Sequence, residues 1–404
     1  MINIMCIPAF AILLYISYFA QAFTNIPGFS FTVYCIMDSL LLIYNLNLRL
    51  QGGLLSELPY EGKALIIFYL VNISVGFFFI YDLNTYLIEI VKGIHFVILF
   101  IFIYIITKTR KNIDIPLIML GIVSILYSIT AILNGVIQPV TDRLAISAHA
   151  HSNALGMTMY IGLVLSFYFF SKKWPYKILV IGFVPSALYC ILQSGSRKSI
   201  IVPVIFLAVT LLLVLLPSLK RIKVRDVIIA IVIIISVVVY VYNVYLPMYE
   251  NSVLNKRLSV ELTEDGSALE RMGMYNEAFR VFKEYPFLGV GYKNFAYFSK
   301  YFGAYAHSTY AEVLACSGVV GVVIYFSIYI SLSIKFIRLY LRKIAHNKSI
   351  YIEGMILGYI LSNLVLMTTV INIYQQHFFV LLGCFVAYYE IEKHILEENM
   401  TSSV

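Results

Sequence analysis

The sequence predicts an all-α, polytopic integral membrane protein with about twelve transmembrane helices. Of the 404 residues, 61% are hydrophobic and 12% are charged, whereas a soluble domain carries about 25% charged residues. Apolar runs of about twenty residues recur along the whole chain, and each is long enough to cross a hydrocarbon core about 30 Å thick. The basic residues collect in alternate loops between these runs, as expected for a membrane protein.

Each apolar run is interpreted as a helix, because backbone groups in lipid must be satisfied within their own segment. The first run lacks a basic n-region and a small-residue cleavage site, so we expect a first span and not a cleaved signal peptide. The predicted spans are about 4–23, 29–46, 64–81, 86–107, 115–135, 153–171, 176–193, 199–217, 226–246, 309–334, 352–372 and 376–391.

The distribution of basic residues predicts the orientation. With the amino terminus in the cytoplasm, the inside loops hold most lysines and arginines. The short outside connections hold few of them, namely Lys92, Arg143, Arg197 and Lys198. Both termini are therefore predicted to be cytoplasmic, and a large loop at about 247–308 is predicted to be extracytoplasmic. We expect a single polytopic domain over residues 1–404 that includes this loop.

The large loop has a pattern of its own. Apolar residues recur at helical spacing from Leu269 to Phe282, and Pro286 and Gly289 end the pattern. This predicts an amphipathic helix at about 268–284 that lies on the outer membrane face or packs over the helical bundle.

Composition argues against several other classes of protein. The net charge of +8 does not indicate nucleic-acid binding, because most basic residues lie in short loops between apolar runs. The five cysteines are scattered without a CxxC motif, so they indicate neither a disulfide framework nor a zinc site. His149 and His151 have H-x-H spacing, but no carboxylate or thiolate lies nearby in sequence to complete a ligand set, so we predict no metal site.

Some arginines depart from the positive-inside pattern. Arg143, Arg197 and Arg271 fall on the predicted outer side, as does His307. A charge near the membrane is costly and usually has a partner or a role, and a guanidinium group binds phosphate with two parallel hydrogen bonds. These residues suggest an anionic ligand at the outer face, and a lipid-linked diphosphate lies at that depth.

Each of these residues also has a purely structural interpretation. Arg197 could end a helix and extend to the headgroups, and Arg143 could pair with Asp142. Arg271 could belong to a solvated helix face, and His307 could be an interfacial histidine. A few outer aromatic residues could stack on sugar rings, such as Tyr292, Phe295, Tyr297 and Tyr305.

Two stretches of the large loop resemble the outer loop of the O-antigen ligase/polymerase superfamily. The first is Glu270-Arg271-Met-Gly-Met-Tyr-Asn-Glu-Ala-Phe, followed by Glu284-Tyr-Pro-Phe-Leu-Gly-Val-Gly-Tyr-Lys-Asn-Phe295. The second is Ala306-His307-Ser-Thr-Tyr310-Ala-Glu312-Val-Leu, followed by Ser317-Gly-Val-Val-Gly321.

Two upstream elements add to the resemblance, which then covers about residues 140–330. Ser194-Gly195-Ser196-Arg197 resembles the family's T-G-S-R element, and Arg143 with Asn153-Ala-Leu-Gly156 resembles its R…N-x-L element. The chain departs from the family pattern at Ser308, where Asn is usual, and at Glu284-Tyr285, where His often precedes the proline.

The resemblance implies a GT-C-like glycosyltransferase that uses no metal or cofactor and inverts the anomeric configuration. It implies catalytic roles for His307 as a base and for Arg197 and Arg271 in stabilising the leaving diphosphate. Residues implied to bind the diphosphate or the glycan are Arg143, Arg197, Arg271, Lys198, Asn153 and Tyr310. The implied location is the bacterial plasma (inner) membrane, with the active site on the extracytoplasmic face.

Three functions follow from these expectations. The first is a polysaccharide polymerase, for O-antigen or capsule, with an undecaprenyl-diphosphate-linked oligosaccharide as both donor and acceptor. The second is an O-antigen ligase that passes the finished glycan to lipid A-core or another acceptor. The third, from a different class, is a transporter or flippase, although few ionisable residues lie within the spans. The polymerase also implies contact with membrane lipid and with a chain-length regulator, and no nucleic acid.

Overall fold

A computed structural model describes residues 58–139, 141–147, 151–215, 217, 243, 246–258 and 266–401, with the isolated positions 36 and 39. The first predicted span and nearly all of the second and ninth lie outside these residues, as does His149.

The described residues fold almost entirely into helices, with one short antiparallel hairpin. The helices are α1 Tyr60–Gly76, α2 Leu83–Arg110, α3 Asp114–Asn134, α4 Ser152–Phe170, α5 Trp174–Ser194, α6 Lys198–Leu215, α7 Leu246–Glu250, α8 Val253–Leu258, α9 Gly266–Glu284, α10 Phe295–Phe298, α11 Thr309–Ala345, α12 Tyr351–Leu366 and α13 Gln376–Thr401. Short 3₁₀ helices cover Phe77–Phe79 and Asn372–Tyr374. Strands β1 Val136–Ile137 and β2 Leu144–Ala145 pair with Val136 opposite Ala145.

Seven helices within the described residues are long and apolar enough to cross a membrane, namely α1 with its 3₁₀ extension, α2 to α6, and α11. All seven coincide with predicted spans, which confirms the all-α membrane class. Helix α12 is apolar but has only 16 residues, so it is shorter than the predicted span at 352–372. The total of twelve spans and their orientation stay predictions.

Local sequence explains where several helices begin and end. The Asp82 carboxylate accepts a hydrogen bond from the Thr85 backbone N–H at 2.8 Å and so caps the start of α2. Lys111 ends α2 in the left-handed conformation. Helix α5 has a proline in its first turn, where no backbone donor is needed, and ends at the left-handed Gly195.

The chain divides into two compact units. Unit 1 comprises Met1–Leu120, Leu262–Leu339 and Leu364–Val404, and unit 2 comprises Gly121–Glu261 and Tyr340–Asn363.

In unit 1, α2 packs against α13. The rings of Phe96 and Phe379 stack with their centroids 4.9 Å apart. Gly383 lets the two helices approach closely, because a Cβ atom there would lie 2.9 Å from the Phe100 carbonyl oxygen. Buried Glu61 accepts hydrogen bonds from Lys335 at 2.9 Å and from Ser331 at 2.6 Å, which offset the cost of burying its charge.

In unit 2, α4 packs against α5, α6 and α12. The Tyr160 and Ser362 hydroxyls lie 3.0 Å apart within the core, and the rings of Phe167 and Tyr351 stack at 4.9 Å. The Tyr351 hydroxyl donates to the Phe167 carbonyl at 2.6 Å. Aromatic and hydroxyl contacts of this kind hold apolar helices together where burial from water contributes little.

The loop helix α9 matches the predicted extent, and part of it packs against the protein. The residues that pack inside are Met274, Ala278 and Val281. Leu269, Met272 and Phe279, from the predicted apolar series, are each half or more exposed. The helix was predicted correctly, with its position on the membrane surface or over the bundle left open. The exposed apolar residues suit a helix at the membrane surface.

Helix α11 is longer than the predicted span at 309–334 and is interrupted. Gly318 has φ 57° and ψ −162°, a conformation that only glycine adopts readily, and it breaks the helix after nine residues. The break lies within the second stretch that carries the family resemblance.

Candidate active site

The turn at residues 286–294 replaces the helical hydrogen bonds that the break at Gly318 removes. Val290 N–H donates to the Ala315 carbonyl at 3.2 Å, and Gly291 N–H donates to the Cys316 carbonyl at 2.7 Å. In the opposite direction, backbone N–H groups of the helix beyond the break donate to carbonyls of the turn. Val319 N–H donates to the Pro286 carbonyl at 2.9 Å, and Val320 N–H donates to the Phe287 carbonyl at 3.1 Å. Unsatisfied backbone groups are costly in a membrane, so the turn and the broken helix stabilise each other.

The same turn also caps the end of α1. Tyr292 N–H donates to the Asn72 carbonyl at 3.0 Å, and the Asn294 amide donates to the Gly76 carbonyl at 3.1 Å. The last carbonyls of a helix have no partner within it, so these bonds attach the turn to α1. Gly291 has φ 85°, and a Cβ atom there would overlap the backbone of Gly76.

A hydrophobic cluster lies beneath the turn. It joins the packed face of α9 to the turn, to α10 and to the first part of α11, through Ala278, Val281, Val290, Phe295, Ala306, Ala315 and Cys316. The two loop stretches of the family resemblance therefore form one packed structure in unit 1.

His307 lies at the end of this structure, immediately before α11. Its backbone is left-handed with φ 54°. The preceding residue is held by the buried Glu312, whose carboxylate accepts from the Ala306 N–H at 2.8 Å and from the Tyr374 hydroxyl at 2.8 Å. On the other side, Thr309 N–H donates to the Met367 carbonyl at 2.8 Å. Contacts on both sides thus fix the backbone of His307.

Tyr305 contacts His307, with the centres of the two rings 4.3 Å apart. Burial raises the pKa of Tyr305 and the charge of Glu312 adds to the rise, while the charges of Lys293 and Arg271 oppose it. Burial also raises the pKa of Tyr275, and Arg271 again opposes the rise. Lys293 is linked to the backbone beside His307 by contacts, since it packs on the ring of Tyr374, whose hydroxyl donates to Glu312.

A second cluster forms in unit 2 from the two upstream elements. Arg143 donates from Nε to the Ser194 carbonyl and from its terminal nitrogen to the Asn153 side-chain oxygen, both at 2.6 Å. Gly156 brings the elements together, since a Cβ atom there would overlap the Ser199 hydroxyl. Arg143 thus connects the two upstream elements of the family resemblance.

The remaining predicted residues are placed as follows. Arg197 and Lys198 lie half-buried at the start of α6 in unit 2, next to buried Ser196 and Ser199. Tyr310 donates from its hydroxyl to the Leu364 carbonyl at 2.9 Å and stacks on Phe326 in unit 1. The predicted site residues therefore fall into two groups. Those in unit 2 are Arg143, Asn153, Arg197 and Lys198, and those in unit 1 are Arg271, His307 and Tyr310.

Some residues were suggested wrongly and others were missed. Tyr292 and Phe295 are buried and cannot stack on a sugar, whereas Tyr305 is 39% exposed beside His307. Lys293 and Tyr374 were not predicted. Lys293 is a basic residue of the predicted outer loop and so carried the same signal as the outer arginines. No signal in the sequence pointed to Tyr374. No cluster of His, Cys, Asp or Glu that could hold a metal ion occurs among the described residues.

Comparison with known proteins identifies a family for this part of the chain. Residues 179–326 match the model of the O-antigen ligase family, which is consistent with the O-antigen ligase/polymerase superfamily and confirms the predicted resemblance. No curated protein matches the chain. The family comprises membrane enzymes of the glycosyltransferase type that act on lipid-linked glycans. Together with the apolar helices, the match indicates a multi-pass protein of the bacterial inner membrane.

Proposed function

We propose that the chain is a polysaccharide polymerase that transfers a glycan from undecaprenyl diphosphate onto the next lipid-linked repeat unit. The family match carries the chemistry of the proposal, which is glycan transfer from a lipid diphosphate, because residues 179–326 include Arg197, Arg271 and His307. The surroundings of His307 support it further, since the Tyr305 ring contacts a histidine whose backbone is fixed, and the charges of Lys293 and Arg271 act on that tyrosine.

The proposed reaction is a single displacement. The acceptor hydroxyl oxygen attacks the anomeric carbon of the donor sugar, and the bond from that carbon to the diphosphate oxygen breaks. The diphosphate leaves with the bonding electron pair, and the configuration at the anomeric carbon inverts. Neutral His307 takes the proton from the acceptor hydroxyl, a task suited to an imidazole near neutral pH.

Arg197 and Arg271 stabilise the negative charge that grows on the leaving diphosphate. Fixed guanidinium groups do this better than mobile ones, because they need no reorganisation as the charge develops. Arg143 and Asn153, which are hydrogen-bonded to each other, contribute to glycan or diphosphate binding together with Lys198 and Tyr310. In this proposal the reaction takes place on the extracytoplasmic face.

The second candidate function is an O-antigen ligase, which shares the donor and the chemistry but passes the finished chain to a different acceptor. The description of the matched family favours it, since that family is named for the ligase. The two functions differ in which glycan products accumulate when the protein is missing.

The test compares the surface glycan ladder of a gene deletion with those of complemented strains. We expect the deletion to leave one repeat unit on the acceptor, with the full ladder restored by wild type and not by His307→Ala. His394→Ala is the matched control, because His394 is exposed at the end of α13 and should restore the ladder. Long chains that stay on the lipid carrier would instead indicate a ligase. An unchanged ladder in the deletion strain would exclude both functions.

A further inference from the structure

Lys293 has an unusual backbone that its neighbours impose. Its φ is 64°, in the left-handed region, as is that of His307. Such a conformation costs about 1–3 kcal/mol for a residue other than glycine and persists only where the surroundings enforce it. Here Tyr292 N–H and the Asn294 amide, on either side of Lys293, are both bonded to the end of α1. The direction of the Lys293 side chain is therefore set by the 286–294 turn.

The Lys293 ammonium group is oriented but only loosely paired. It lies 3.9 Å from the centre of the Tyr374 ring and 3.4 Å from Glu89 Oε2, and the side chain is 28% exposed. The other oxygen of Glu89 is held at 2.7 Å by Lys92. A charged hydrogen bond between nitrogen and oxygen is usually about 2.7–2.9 Å long, so Lys92 is the closer partner of this carboxylate.

The surroundings of Lys293 match those expected for a phosphate-binding lysine. Its ammonium group packs on the Tyr374 ring, and the Tyr374 hydroxyl donates to Glu312, which also accepts from the Ala306 N–H next to His307. In addition, its charge and that of Arg271 act on Tyr305, which contacts His307. Glu312 also attracts Lys293, but both of its oxygens already accept hydrogen bonds, from the Ala306 N–H and from the Tyr374 hydroxyl. A lysine supplies a compact charge that complements the two-pronged arginine, so the pair suits a diphosphate better than either alone.

We infer that Lys293 binds the diphosphate of the lipid-linked donor beside Arg271 and His307, and that it exchanges Glu89 for phosphate oxygens when the donor arrives. The inference rests on the proposed function and adds a residue to it. Tyr374 holds the ammonium group in place through its ring in both states.

The experiment measures the binding of farnesyl diphosphate to the purified full-length protein in detergent, with farnesyl monophosphate for comparison. Lys293→Met should weaken diphosphate binding about 10-fold or more, as loss of a charged hydrogen bond predicts. Lys293→Arg should keep most of the affinity. Lys300→Met is the matched control, because Lys300 is an exposed lysine of the same outer loop that does not contact Glu89, and its loss should leave the affinity unchanged.

Glu89→Gln separates binding from a structural role. If Lys293 leaves Glu89 to bind the donor, removing the carboxylate charge should tighten diphosphate binding, whereas a merely structural pair would give weaker binding. The inference is overturned if Lys293→Met binds the diphosphate as wild type does, or if Lys300→Met loses as much affinity. Failure of wild type to bind any diphosphate, together with an unchanged glycan ladder on deletion, would count against the proposed function itself.

Discussion

The break in α11 gives a sharp test of how the loop is held. In Gly318→Ala, the new Cβ atom would overlap the carbonyl group of Phe287, and the backbone would have to keep a conformation that alanine rarely adopts. The strain alone is worth about 1–3 kcal/mol. If the turn moves away to relieve the overlap, the four hydrogen bonds between turn and helix are also lost, at about 1 kcal/mol each. We expect a total loss of about 5–7 kcal/mol when both effects apply.

Two other glycines serve as controls that separate these effects. Gly303 has φ 84° but open space around its Cβ position, so Gly303→Ala should show the strain alone. Gly182 lies within α5 with nothing within 4 Å and no positive φ, so Gly182→Ala should be neutral or stabilise by about 0.5–1 kcal/mol.

Thermal unfolding of the purified proteins in detergent would rank the three variants, and the glycan ladder of complemented strains would report on function. The melting temperature should be highest for Gly182→Ala, lower for Gly303→Ala and lowest for Gly318→Ala. A Gly318→Ala protein that melts together with Gly303→Ala would refute the idea that backbone contact between turn and helix stabilises this region.

Three further predictions concern the surroundings of His307, the ion pair of Glu277 with Arg280, and the orientation of the chain in the membrane. In Glu312→Gln the side chain cannot accept hydrogen bonds from both the Ala306 N–H and the Tyr374 hydroxyl, so chain extension should fall about 10-fold or more. The loss should be smaller in Tyr374→Phe, in which the bond from Ala306 survives. Equal losses in the two variants would contradict the role assigned to Glu312. Burial opposes the ionisation of Glu277, yet the Lys300 N–H and Arg280 lower the pKa of this carboxyl below the ordinary value. The ionised Glu277 therefore contributes fully to stability above about pH 4.3, and this contribution is lost as the pH falls through the folded-state pKa. The difference in melting temperature between wild type and Glu277→Gln should therefore shrink between about pH 6 and pH 3, and a constant difference would speak against the ion pair. A membrane-impermeant maleimide should label Phe302→Cys, at an exposed loop position, in intact cells. It should label Lys348→Cys, which is also exposed, only after the cells are permeabilised. The reverse labelling pattern would show that the predicted orientation is wrong.

Hydropathy predicts most of the described helices well, because length and apolar character are what a membrane span requires. It fails where contacts between distant segments decide the structure. Helix α12 ends at Leu366 and not near residue 372, since the carbonyls of Met367 and Val370 are used by Thr309. The break at Gly318 is equally invisible to hydropathy, because the 286–294 turn makes it stable.

The face of α9 shows a second limit. An apolar series at helical spacing identifies a helix, but Leu269 and Met272 turned out to be exposed while Met274 and Ala278 pack inside. In a soluble protein the apolar side would be the packed one, whereas a helix near a bilayer can present apolar residues to lipid as well.

The candidate site was predicted mainly through the family resemblance. That resemblance associated Arg143 with Asn153, which are hydrogen-bonded, and the loop stretches around Arg271 and His307, which pack together. The resemblance did not indicate Lys293, since it occupies a variable position of the turn motif.

The reciprocal hydrogen bonding between the 286–294 turn and α11 also has a consequence for protein engineering. A chimera that exchanges the outer loop between related enzymes, in order to change sugar specificity, would pair a foreign turn with the native break at Gly318. Because each segment supplies the backbone partners that the other lacks, the smallest transferable module runs from the turn to beyond Val320 and includes the contacts with Asn72 and Gly76. Loop grafts that stop short of this boundary should misfold even where their sugar contacts are compatible.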